Sequence, residues 1–277
     1  MGRPYKVLHA PTTVGGNPQG LSKALNNLGV YSKTLALQQN YFNYAADYVL
    51  WTENEGVFKR ELKRLCALIY LAFKYDVIHY NFGTTIAAAG YYRPSKSVIN
   101  SLLRWIYCKY LGNLQLLELK IYKGLGKSLF VTYQGDDARQ GDYSLANFKF
   151  SIASQVDSSY YNKASDEFKR RSIARLGKYC DAIYAVNPDL LNVLPKGAKF
   201  VPYSHISLDE WSPRYTQLEK RELRIAHAPS HRKAKGTDLI LAALDKLKVD
   251  GFEFEFVLVE GLSNEAAKNI YGTVDIL

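Results

Sequence analysis

The chain has 277 residues, 47% of them hydrophobic and 22% charged, with a formal net charge of +10. That length holds one large or two ordinary domains, and the absence of an apolar run of about 18 residues excludes a spanning helix. The positive excess asks for an anionic partner: nucleic acid, anionic lipid or a phosphorylated substrate.

Residues 5–10 read as a short apolar strand that runs into a glycine-rich loop over residues 11–20. A helix follows with Leu21, Ala24, Leu25 and Leu28 on one face and Gly29 closing it. Residues 30–37 alternate as a second strand, completing a β-loop-α-β opening of the doubly wound kind. The alternation then repeats: helix at about 57–74, strand 76–82, a long helical stretch at about 97–123, strand 128–133. A helix at about 164–179, strand 181–186, a short helix and strand 198–202 complete the series. Strands alternating with helices predict an α/β fold with a largely parallel sheet.

Residues 204–221 change character and read as an interdomain connection. A fresh strand starts at Leu223, a helix at Thr237, a strand at 254, and a helix runs over about 263–271. Residues 274–277 look like the start of a further buried strand. We therefore expect a complete N-terminal doubly wound (Rossmann-like) domain over 1–205, a linker over 206–222, and the partial start of a second such domain over 223–277.

The densest signal lies in residues 224–238, where an apolar strand meets a basic loop and then an amphipathic helix. The loop carries Arg232, Lys233, Lys235, Gly236 and Thr237. Free backbone N–H groups and a positive helix end beside cationic side chains suit a diphosphate. It is neither a Walker loop nor a dinucleotide fingerprint, because G-x-x-x-x-G-K-[ST] and G-x-G-x-x-G are both absent. The plainer reading is a solvated basic turn.

This loop resembles the donor-phosphate loop of GT-B glycosyltransferases, in particular the retaining family 4, in which an Arg/Lys pair before a Lys-Gly step grips a nucleotide-sugar. Other stretches fit the same family in order and spacing. Gly15 and Gly16 stand in the first βα loop, where such enzymes carry a glycine pair near the donor phosphates or the acceptor. Residues 130–139 fall where many members write His-Gly-x-Asp, and 181–190 where a strand precedes the hinge. Residues 200–209, with Trp211 and Pro213 after them, fall where the family writes a Pro-Asn-Gly-Val-Asp-type run and an aromatic-x-Pro.

The resemblance implies donor-phosphate contacts from Arg232, Lys235, Gly236, Thr237, Gly15 and Gly16. It places Gln19, Gln134, Arg139 and His205 on the acceptor side. Three departures stand out. Gln134 replaces the usual His, and an amide hydrogen-bonds a hydroxyl but exchanges no proton near neutral pH. Pro229 occupies the position six before Lys235 where the family places its Arg, and Arg232 is nearest. The family's Glu-x7-Glu segment would lie beyond Leu277, so we expect a C-terminally truncated chain with little or no transferase activity of its own.

Asp136 and Asp137 are candidate catalytic carboxylates, one contacting the acceptor while Arg139 fixes its geometry by a paired charge; the alternative is an Asp-rich turn. His9 and His79, within apolar strands, read as core histidines, and His231 lies on the basic loop. Asn187 reads as the cap of the short helix after it. Residues 96–127 carry six basic residues against one acid, Glu118, with Trp105, Tyr107 and Tyr110 interleaved. An interfacial helix on anionic lipid fits this pattern, and so does a half-buried helix with snorkelling lysines.

Cys66, Cys108 and Cys180 are odd in number and widely spaced, so we expect reduced thiols in a cytoplasmic protein. No metal spacing, zinc finger or RNP-type motif points to a metal site or to nucleic acid. The expected function is sugar transfer from a nucleotide-diphosphate sugar to a saccharide or lipid-linked acceptor, with no further cofactor and peripheral membrane contact over 97–127. The competing expectation is a non-catalytic relative that binds a glycan or partner.

Overall fold

The computed structural model describes residues 5–39, 44–88, 90–203, 206, 211 and 222–277. These fall into two compact units. The first comprises the described residues up to 140 and from 163 to 206, and the second comprises 141–162, 211 and 222–277. The second unit thus takes a stretch that lies inside the 1–205 domain expected from the sequence.

In the first unit, β1 (Val7–Ala10), β2 (Ser32–Ala36), β3 (Tyr48–Val49), β4 (Val77–Asn81), β5 (Ser128–Tyr133), β6 (Ala182–Ala185) and β7 (Lys199–Phe200) form one sheet. Its order is β3-β2-β1-β4-β5-β6-β7, and every pairing is parallel. This is the doubly wound, Rossmann-like order, whose direction reverses between β1 and β4. The helices are α1 (Asn17–Asn27), α2 (Val57–Lys74), α3 (Val98–Gly124) and α5 (Lys163–Tyr179), with α4 (Gly141–Asn147) belonging to the second unit. Right-handed crossovers running in opposite directions put α1 on one face and α2, α3 and α5 on the other.

The two faces differ in chemistry because side chains alternate along each strand. Leu8, Ile78 and Leu129 align on one face, as do Ala10, Tyr80, Val131 and Ile183. They pack with Leu68 and Leu71 of α2, Leu119 and Tyr122 of α3, and Ile173 and Leu176 of α5. In α2 the buried set Arg64, Ala67, Leu68, Leu71 and Ala72 has the 3–4 spacing of a helical stripe, which is why this segment folds as a helix. On the opposite face His9 aligns with Thr34 and His79, and Asn81 aligns with Thr132. That face is polar and buried. His9 and His79 meet through their Nδ1 atoms at 3.0 Å, and His79 Nε2 lies 2.7 Å from Thr132 Oγ1. Burial holds both rings below the usual histidine range, His79 at about 4.

The second unit contains α4, a tight turn at Ile152–Ser154, the parallel pair β8 (Leu223–His227) and β9 (Phe254–Leu258), α6 (Thr237–Val249) and α7 (Asn264–Tyr271). Ala226, Val259 and Ala267 form its small core, with Val257, Ile270 and Val274 packed on them. The expected strand at 274–277 is a single parallel bridge, Ile225 to Ile276. Among the described residues no helix is long and apolar enough to cross a membrane.

Candidate functional site

In open parallel sheets, ligands sit beyond the carboxyl ends of the strands near the point where strand order reverses. In the first unit the loops after β1, β5, β6 and β7 converge there. The loop after β1 ends in a tight turn at Val14–Gly16, with Gly15 at φ 64° and Gly16 at φ 69°. These left-handed values favour glycine. Gly16 also caps α1 without any side chain, so the first N–H groups of that helix depend on backbone or ligand. A Cβ on Gly16 would lie 2.9 Å from the Tyr44 ring.

Gln134 closes β5 and faces this turn. A Cβ on Gly15 would stand 3.7 Å from Gln134 Oε1 and 3.8 Å from the Tyr203 ring. The Gln134 backbone is fully committed. Its N–H donates to Asp137 at 3.0 Å, and its carbonyl accepts from Asn187 Nδ2 at 2.6 Å and Tyr203 OH at 3.2 Å. Its carboxamide is the reverse: 4% exposed, with neither Oε1 nor Nε2 hydrogen-bonded among the described residues. A buried amide left unpaired costs on the order of 1–3 kcal/mol, which a ligand hydroxyl would recover.

The other candidates of this unit have definite places. Asp137 accepts from the N–H groups of Gln134 and Gly135, the latter at 2.6 Å. Burial pushes its carboxyl up to about 6 against the pull of those donors. Those bonds shape the loop that carries Gln134. Arg139 does not principally pair with the adjacent aspartates. It forks onto Asp189 at 2.7 and 3.2 Å and lies 3.9 Å from Asp136. Its carbonyl accepts from Lys169 Nζ at 2.6 Å. Asn187 does not cap the turn after it; its side chain holds the Gln134 carbonyl instead. Gln19 lies in a separate cleft of about 420 Å³ with Ser22, Asn26, Thr34 and Asp47. His205 lies outside the described residues.

In the second unit the basic loop forms a tight turn at Lys233–Lys235 and then α6, whose cap is Gly236 at φ 66°. Thr237 is fully buried, with its hydroxyl 2.9 Å from His227 Nε2. Two of the three cations face a carboxylate of the same unit. Arg232 forks onto Glu260 with a shortest contact of 2.6 Å, and Lys233 reaches Asp157 at 3.4 Å. Lys235 is exposed and pairs with no carboxylate among the described residues. Beside the loop, Asp157, Ser159, Tyr160, His231, Arg232 and Lys233 line a cleft of about 270 Å³. The rings of Tyr160 and His231 meet edge-on there at 5.1 Å.

The sequence reading missed Asp189, Asn187 and Tyr203 as partners of Arg139 and Gln134. The strand-end rule carries a signal for the first two, since both follow β6 at the same sheet edge. It also missed the clamp on the loop after β4. There Glu118 of α3 accepts from Tyr80 OH at 2.9 Å, Ile86 N–H at 3.2 Å and Ala87 N–H at 2.9 Å. Arg64 of α2 donates to the carbonyls of Ile86 and Ala87.

No family model matches the chain, and no curated protein matches it. Among solved structures, it is similar to a protein of Burkholderia multivorans assigned as a short-chain alcohol dehydrogenase. That match has 12% identity and a TM-score of 0.33, covering 73% of this chain and 97% of the other. A second, assigned as a sugar phosphate isomerase/epimerase of Anabaena variabilis, has 11% identity and a TM-score of 0.26, covering 89% and 88%. At these scores neither likeness bears on the site, and the fold stands on its own topology as α/β and Rossmann-like.

Proposed function

We propose that this chain binds a nucleotide-diphosphate sugar and belongs to a GT-B glycosyltransferase of the retaining type that moves the sugar to a saccharide or lipid-linked acceptor, the chain alone having little or no transfer activity. The observation that carries the reading is the state of the three loop cations. Arg232 and Lys233 each face a carboxylate of their own unit, whereas Lys235, one residue before the positive-φ glycine that opens α6, pairs with no carboxylate among the described residues. A diphosphate there meets the Lys235 charge and the positive end of the helix dipole, while the N–H groups of Gly236 and Thr237 already donate to the carbonyls of Lys233 and Arg232. In transfer, the anomeric carbon–phosphate oxygen bond breaks as the acceptor oxygen bonds to that carbon, and the leaving phosphate takes the acceptor proton. Lys235 and the helix end would stabilise the charge developing on that phosphate. Gln134 is assigned an acceptor hydroxyl, which it orients without exchanging a proton.

The geometry ranks the cations more sharply than the sequence did. Lys235→Ala should weaken binding of a nucleoside diphosphate at least about tenfold, a loss of about 1.4 kcal/mol. Arg232→Ala and Lys233→Ala should each weaken it less than about threefold, since their charges are already paired. Titrating the same diphosphate against all three variants decides the matter. Equal, near-wild-type binding by the three would reduce the loop to a solvated turn and remove the support for transfer.

A further inference from the structure

The first half of α3 combines two properties that rarely coincide in a globular chain: it is apolar, and it is exposed on nearly every side. Val98 is 84% exposed and Ile99 71%, and Leu102, Leu103, Trp105 and Ile106 are all exposed. α2 runs alongside, since Tyr107 OH donates to Glu61 at 2.6 Å and Tyr122 OH to the Leu68 carbonyl at 2.9 Å. Its outer stripe of Phe58, Leu62, Leu65, Ile69 and Phe73 is exposed too, at the spacing of one helix face. Such a surface is larger than the scattered single residues normal on a protein exterior.

Charge identifies what covers it. Over the 27 residues of α3 the single acid is Glu118, which is buried and tied to the loop after β4. The exposed charge of the first half is therefore wholly positive, carried by Arg104 and Lys109, the latter 5.5 Å from the Trp105 ring. A cleft of about 480 Å³ between α3 and α5 is lined by Lys109, Arg171 and Arg175 against one acid, Glu167, beside Tyr91 and Phe168. A second copy of this chain, itself at +10, would bring like charges together on such a face. An anionic lipid surface matches both parts, with aliphatic side chains below the headgroups and cations among them.

We propose that the first half of α3, with the outer stripe of α2, docks on the headgroup layer of an anionic phospholipid bilayer. No helix among the described residues is apolar enough to cross the membrane, so the mode is interfacial. Docking requires nothing of the sugar chemistry, and the two readings fail separately.

The test is sedimentation of the full chain with vesicles of phosphatidylcholine, alone or with roughly a third phosphatidylglycerol. Binding is expected to the anionic vesicles at low salt, falling at least about fivefold on phosphatidylcholine alone or in about 0.5 M salt. The double variant Ile99→Glu/Leu103→Glu should lose at least about fivefold, and so should Arg104→Ala/Lys109→Ala, while circular dichroism stays that of the parent. Val249→Glu, at an exposed position of α6, should bind as the parent does. Equal binding to both vesicle types, or no binding to either, overturns the proposal. So does a lipid-free dimer, seen by sedimentation velocity, that Ile99→Glu/Leu103→Glu turns into monomer, for the face would then belong to a second copy.

Discussion

At the scale of single residues, the polar interior of the first unit is tuned to neutral pH. His9 and His79 face each other through their Nδ1 atoms, and burial favours the neutral form of both rings. A histidine whose folded pKa lies below its unfolded value contributes stability above the unfolded value and loses it as pH falls toward the folded one. For His79 the window runs from the ordinary 6.5 down to about 4. Asp137, raised to about 6, works in the opposite direction over part of that range. The histidine must therefore be isolated by comparison. The stability advantage of the parent over His79→Gln, measured by urea unfolding, should shrink by on the order of 2 kcal/mol between pH 7 and pH 5. An advantage that stays constant over that interval would mean the ring is solvated or already charged.

At the scale of elements, α3 holds the sheet edge in place as well as presenting an apolar surface. Glu118 gathers a tyrosine hydroxyl and two loop N–H groups, while Arg64 takes the carbonyls of the same loop. Removing the carboxylate leaves three buried donors without acceptors, at on the order of 1 kcal/mol each. Glu118→Ala should therefore lower unfolding free energy by about 3 kcal/mol, and Glu118→Gln, which keeps an acceptor oxygen, by less. Equal losses in the two variants would show that the side chain serves as filler and not as a clamp. Much at this scale was legible in the sequence. α2 falls on the residues where Ala67, Leu68, Leu71 and Ala72 set its period, and β5 falls on residues 128–133 as read. The stretch 141–162 was not legible, because α4 is short and polar and the partners of its unit lie some way off in sequence. β3, two residues long, is too short to leave a period.

For the whole molecule, strand-end residues were readable because parallel strands put their carboxyl ends at one edge, so Gln134 and the Gly15–Gly16 turn could be named in advance. Their pairings could not. Arg139 finds Asp189 across fifty positions of chain, and Asn187 spends its amide on the Gln134 carbonyl where the local rule predicted a cap. Tertiary contacts of that range leave no periodic trace in sequence. The same holds for Arg232, whose charge Glu260 consumes from beyond β9. Among the described residues, the first unit carries a buried carboxamide without a hydrogen-bond partner just after β5, and the second unit carries a loop lysine, Lys235, without a carboxylate partner. Calorimetric titration with a panel of nucleotides tests this account most directly. A nucleotide-diphosphate sugar and its nucleoside diphosphate should bind alike, and the nucleoside monophosphate at least about tenfold more weakly, because the second phosphate reaches Lys235 and the end of α6. Equal affinity for mono- and diphosphate, no binding at all, or tighter binding of a nicotinamide dinucleotide would contradict it.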